Sequence, residues 1–122
     1  MQRTRAHVAV IVIILTSALL LPVFGGELKF LDSESAMRKQ LLKFIPVGSD
    51  IESGKSFLEK NGFSCSWYKQ QRFVGFKEKM NYIYCNYQSH DFPVNKRWQI
   101  ALIPEDNKNI RDISVSFGLV GP

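Results

Sequence analysis

Two periodicities divide the chain beyond residue 26. In "LDSESAMRKQLLKFIP" the apolar residues Met37, Leu41, Phe44 and Ile45 recur at i, i+4, i+7 and i+8. Arg38, Lys39 and Lys43 fall on other faces. This spacing predicts an amphipathic helix of about three turns, opened by Asp32 or Ser33 as N-cap and stopped by Pro46. In "GSDIESGKSFLEKNGF" a second helix is expected, with Ile51, Gly54 and Leu58 on one face and Glu52, Lys55 and Glu59 toward water. Ser49 and Glu52 have the spacing of a capping box, and Gly62 supplies the left-handed residue that ends a helix. Gly54 inside a helix costs about 1 kcal/mol relative to alanine, so it predicts a close approach of the helix backbone to a neighbour.

From Gly62 onward the period changes from 3.6 to 2. Phe63, Cys65 and Trp67 alternate with Ser64, Ser66 and Tyr68; Ile83, Cys85 and Tyr87 alternate with Tyr82 and Tyr84. Trp98, Ile100 and Leu102 alternate with Gln99, Ala101 and Ile103; Ile113, Val115 and Phe117 alternate with Asp112, Ser114 and Ser116. Four such runs predict an antiparallel sheet with one face covered and one partly wet. "PEDNKN" between the last two has the composition of a hairpin loop. The expected fold class is α+β: two helices packed on one face of a four-stranded antiparallel sheet, in the order ααββββ.

The first 26 residues carry a different pattern. Arg3 and Arg5 precede an apolar run from Val8 to Phe24, interrupted by Thr16, Ser17 and Pro22 and followed by Gly25 and Gly26. This is the order of a signal peptide. The same run, held by its two arginines, also suits an uncleaved N-terminal membrane anchor. Either reading makes residues 27–122 a single exported domain, extracytoplasmic as a secreted, periplasmic or anchored protein. No cysteine follows the run, so a lipid anchor is not expected.

Compartment decides how the two cysteines are read. In an oxidising space, Cys65 and Cys85 in a small domain predict a disulfide, with free thiols or a metal site as alternatives. Closing that loop contributes on the order of 3 kcal/mol. Without Arg3 and Arg5, 14 basic face 11 acidic residues, and the formal charge falls from +5 to +3. That mild excess favours anionic surfaces without requiring them.

"GSDIESGKS" nearly spells a phosphate-binding loop. That motif needs four residues between its glycines, whereas five separate Gly48 from Gly54, which puts a nest of amides out of register. No nucleotide or other cofactor is expected. Other chemistry is thin. A Cys–His hydrolase would need a free cysteine beside His90. A zinc site from Cys65, Cys85, His90 and Asp91 lacks metal-ligand spacing and competes with the disulfide. Glu52, Glu59 and Asp112 form no paired carboxylates, and no Gly-x-Ser-x-Gly elbow occurs. An exported location also speaks against nucleic acid as partner.

Two surface features remain. Tyr68, Tyr82 and Tyr84 on the wet sheet face are candidates for contact with an envelope or extracellular protein. Lys69, Arg72, Lys77 and Lys79, interleaved with Phe73 and Phe76, suit an anionic membrane surface; alternatively this segment is a short fifth strand whose phenylalanines are core. The expected function is a non-catalytic exported or envelope interaction module. A small hydrolase or metal-dependent enzyme using His90, or a membrane-surface module using Lys69 to Lys79, are the alternatives.

The helix and strand pattern resembles the fold shared by β-lactamase inhibitor protein and the SmpA/OmlA outer-membrane assembly lipoproteins. The matching stretches are "VGSDIESGKSFLEKNGF" and "WQIALIPEDNKNIRDI". The "NGFSC…YC…W" spacing and "GLVGP" tail also resemble a group of small exported bacterial proteins. The resemblance implies an exported α+β domain and carries over no binding residue.

Overall fold

The computed structural model describes residues 27–90 and 93–120; the N-terminal signal or anchor segment lies outside the described residues. Helix α1 spans Glu34–Phe44 and α2 spans Ile51–Lys60. Strands β1 (Ser64–Gln71), β2 (Met80–Gln88), β3 (Asn95–Pro104) and β4 (Ile110–Val120) follow. They form one antiparallel meander in the order β1-β2-β3-β4. The α+β class and the order ααββββ are those the periodicity predicts.

The inner face of the sheet and both helices share one core. Met37 and Leu41 of α1, Ile51 and Leu58 of α2, and Ile83, Ile100, Leu102, Ile110 and Ile113 from the strands are all fully buried. The alternation therefore places the residues expected to face the helices. Gly54 explains itself here. A β-carbon at this position would stand 3.0 Å from Ile45 Cγ2 and 3.2 Å from Ile110 Cδ1, so its absence lets α2 rest directly on the sheet.

Helix α1 begins at Ser33, whose Oγ accepts from the Ala36 N–H at 3.2 Å. The second cap differs from expectation. Asp50, not Ser49, is the N-cap; its Oδ2 accepts from the Ser53 N–H at 2.9 Å and from Ser53 Oγ at 3.0 Å. Ser49 donates its hydroxyl to the Pro46 carbonyl, and Glu52 accepts from Trp67 Nε1 at 3.0 Å. Both Ser49 and Asp50 have capping side chains. Tertiary pairing selects between them: the Ile110 N–H donates to the Ser49 carbonyl and the Ile51 N–H to the Lys108 carbonyl, which pins this segment to the β3–β4 hairpin. The near-phosphate-loop is a helix start docked on a turn.

In that hairpin, Asp106 Oδ1 accepts from the N–H groups of Asn109 and Lys108, and Asn107 takes a positive φ of 65°. These bonds to the ionised form hold the Asp106 carboxyl below the usual aspartate range.

The segment Glu27–Ser33 is tied down as firmly as the helices. The Leu28 N–H donates to Asn61 Oδ1 at 3.2 Å, and Lys29 exchanges two 2.8 Å hydrogen bonds with the Gln40 side chain. Phe30 packs its ring against Tyr87 at 4.3 Å and Trp98 at 5.1 Å, and Trp98 Nε1 donates to the Leu31 carbonyl at 2.8 Å.

Cys65 and Cys85 are directly opposite on β1 and β2 and joined by a disulfide, with Cα atoms 4.1 Å apart. Trp67 pairs with Ile83 on the same face. The bond the cysteine count predicts is present.

Candidate functional site

The outer face of the sheet is built in two halves. At the end where β1 turns into β2, residues 72–79 leave the sheet and fold back over it as a flap. The cause is local. A bulge separates the pairs Tyr68↔Tyr82 and Gln71↔Met80, with Gln70 at a positive φ of 53° and Asn81 Oδ1 accepting from the Gln70 N–H at 2.9 Å. A bulge of this kind bends its strand. The Phe76 N–H then donates to the Phe73 carbonyl at 2.9 Å, with Gly75 at φ 84° in the third position, the signature of a type II turn.

That turn aims Phe73 inward. It is 3% exposed and packs edge-on to Tyr82 at 5.8 Å, while Ala101 and Ile103 complete a second, smaller core. Tyr82 is itself only 2% exposed. Burial lifts its phenol above the usual tyrosine range, with the neighbouring Tyr68 and Tyr84 adding to the effect. Of the three tyrosines singled out as contact candidates, Tyr82 therefore lies beneath the flap. Tyr68 and Tyr84 are half-buried and stacked with ring centres 4.9 Å apart. The expected fifth strand is a loop, although its phenylalanines are packed: Phe73 is buried and Phe76 half-buried. Lys69, Arg72, Lys77 and Lys79 all stay exposed around a flap tip where Val74 is 59% exposed.

The other half of the outer face has no such cover among the described residues. Here β2 and β3 present a hydrogen-bonded row. Gln99 Nε2 donates to Tyr84 Oη at 2.6 Å, Arg97 Nε donates to Asn86 Oδ1 at 2.8 Å, and Arg97 Nη2 reaches Tyr84 Oη at 3.4 Å. Beside this row, β4 offers only the small residues Ser114, Ser116 and Gly118, paired across from Ala101, Gln99 and Arg97. The result is a polar row lying beside a strip of small residues on the sheet. Sequence reasoning singled out Tyr84 but missed Arg97, Gln99 and Asn86. The available signal was their alternation with Trp98, Ile100 and Cys85, which puts them on the same face as Tyr84.

The two cysteines named in the catalytic alternatives are joined to each other. Both sulfurs are in the disulfide, so neither serves as thiolate or metal ligand. His90 is an exposed residue at the end of β2, and Asp91 lies outside the described residues. Among the described residues no group of three metal-ligating side chains comes together, and no helix is long and apolar enough to cross a membrane. A hollow of about 830 Å³ beside α2 is lined by Phe44, Phe57, Ser53 and Lys60. Its two rings stack at 5.0 Å.

Comparison with known protein families, with curated proteins and with solved structures returned no match.

Proposed function

We propose that this is a non-catalytic binding domain working outside the cytoplasm, and that the uncovered half of the outer face takes an envelope or extracellular protein. The observation that carries this reading is the preordered Tyr84–Gln99–Arg97–Asn86 row. Its side chains are held by one another on a sheet whose opposite face is fully packed, so little side-chain entropy remains to be lost on contact. Tyrosine and arginine are also the residues that most often anchor protein interfaces. The Cys65–Cys85 bond fits an oxidising compartment. The apolar N-terminus supplies the export route. The resemblance to the β-lactamase inhibitor protein fold enters only as an expectation about architecture.

A photo-crosslinking residue placed at Ser116 tests the site. In cells of the native host it should trap one discrete adduct, and Arg97→Ala in the same chain should abolish that adduct. The same probe at the exposed Ser35 should trap none. Equal adducts from both positions would remove the outer face as the contact.

A second reading has its own support. The flap tip combines exposed Val74 with flanking cations, which suits an anionic lipid surface. The flap leaves the sheet at the Gln71–Met80 end, whereas Leu28 is held at Asn61, next to the Phe63–Tyr87 end. Those ends are separated by roughly 20 Å of strand. The chain therefore enters the domain at the end of the sheet opposite the flap.

A further inference from the structure

The two edges of the sheet are treated differently. At β4, helix α1 takes up two outward backbone groups: Arg38 Nε donates to the Ile113 carbonyl at 2.8 Å, and Glu34 Oε2 accepts from the Phe117 N–H at 2.9 Å. Asp112 adds a bond to the Ile113 N–H at 2.8 Å and an ion pair to Arg38 at 2.7 Å. These contacts block strand addition on that side.

At β1 no described element lies beyond the strand. The 4.1 Å Cα separation of Cys65 and Cys85 is that of a non-hydrogen-bonded pair, so the N–H and C=O groups of Cys65 and of Trp67 point away from β2 into the open edge. The straight run Ser64–Tyr68 carries no charge and no proline. It is bounded by the turn at Gly62 on one side and the bulge at Lys69–Gln70 on the other. Between those bounds the five-residue edge is open, and an open edge is a template for another strand.

We infer that a second copy of this chain occupies it, giving a twofold dimer with a continuous eight-stranded sheet. The run is self-complementary. With the axis at Ser66, Cys65 of one copy faces Trp67 of the other, and the two outward groups of each residue exchange two hydrogen bonds per pair. Four bonds form and satisfy all four groups on each edge. The apolar Cys65–Trp67 side continues the inner face, and Ser64, Ser66 and Tyr68 continue the outer one. Charge agrees with this register: the two Lys69 residues would lie roughly 20 Å apart, beyond the screening length in physiological salt. The inference is independent of the outer-face reading, since each copy keeps its Arg97 row uncovered.

Sedimentation of the full chain, purified as an exporting host processes it and held in mild detergent, tests the dimer. At about 100 μM the mass should be twice that of one chain, because four hydrogen bonds and a short apolar seam support at best micromolar affinity. Ser66 is exposed, so Ser66→Lys leaves the monomer intact while placing two like charges directly opposite at the axis. The dissociation constant should rise at least about tenfold. Mixing Ser66→Lys with Ser66→Glu should restore the dimer as a heterodimer. A wild-type monomer at this concentration overturns the inference, as does a dimer indifferent to Ser66→Lys or a mixture that fails to recover.

Discussion

The two faces of the sheet reach burial by different routes. The inner face is closed by whole helices, with ten strand and helix residues sealed from water, and its ring contacts tie the N-terminal segment into the same core. The outer face is closed only over one end, by an eight-residue flap held through Phe73 and Phe76. The difference teaches what each face is free to do. A helix-covered face has no spare surface, so it supplies rigidity. A half-covered face keeps a polar row beside a small aromatic core, so it leaves side chains open to a partner.

Trp98→Ala should give the largest effect. It removes a buried ring, its bond to Leu31 and the partner of Phe30. A cost of about 3–5 kcal/mol is expected in urea unfolding, with faster exchange of the Leu28 and Lys29 amides. Phe73→Ala should cost less, about 1–3 kcal/mol, because a loop can lift away without unfolding the sheet. Hydrogen exchange should then rise across residues 72–79 and at Tyr82 while α1 stays protected. If the two substitutions cost the same, the faces form one cooperative unit and the comparison fails.

The smallest effect concerns pH. A raised folded-state value means that Tyr82 stabilises the fold fully below the ordinary tyrosine range, and that this contribution is lost as pH rises from about 10 through the folded value. Ultraviolet titration of the wild type against Tyr82→Phe should show that the phenolate lost in the variant is one appearing above the ordinary tyrosine range. Phe73→Ala should move it toward the ordinary range. A Tyr82 that titrates in the ordinary tyrosine range would show the flap open in solution.

Much of this arrangement is legible before any coordinates. The inner face is spelled by Cys65, Trp67, Ile83, Ile100 and Ile113 in strict alternation, because a strand half-buried against helices has one apolar side. Gly54 signals close packing, since little else justifies glycine inside a short helix. The outer face is harder. Phe73 and Tyr82 belong to a loop and a strand, and no local period links them. A bulge at Gln70 and a turn at Gly75 bring them together. The disagreement between Ser49 and Asp50 as cap has a similar origin. Both side chains have the right chemistry, and hydrogen bonds to a hairpin some 60 residues later choose one.

By itself the sequence determined the periods, the element order, the paired cysteines and the apolar head, because each follows from chemistry repeated over neighbouring residues. Only the tertiary structure decided which half of the outer face stays open, which sheet edge is blocked, and which polar side chains meet in a row. Those outcomes depend on strand register and on a loop folding across strands, and contacts between residues far apart in the chain leave no local period to read.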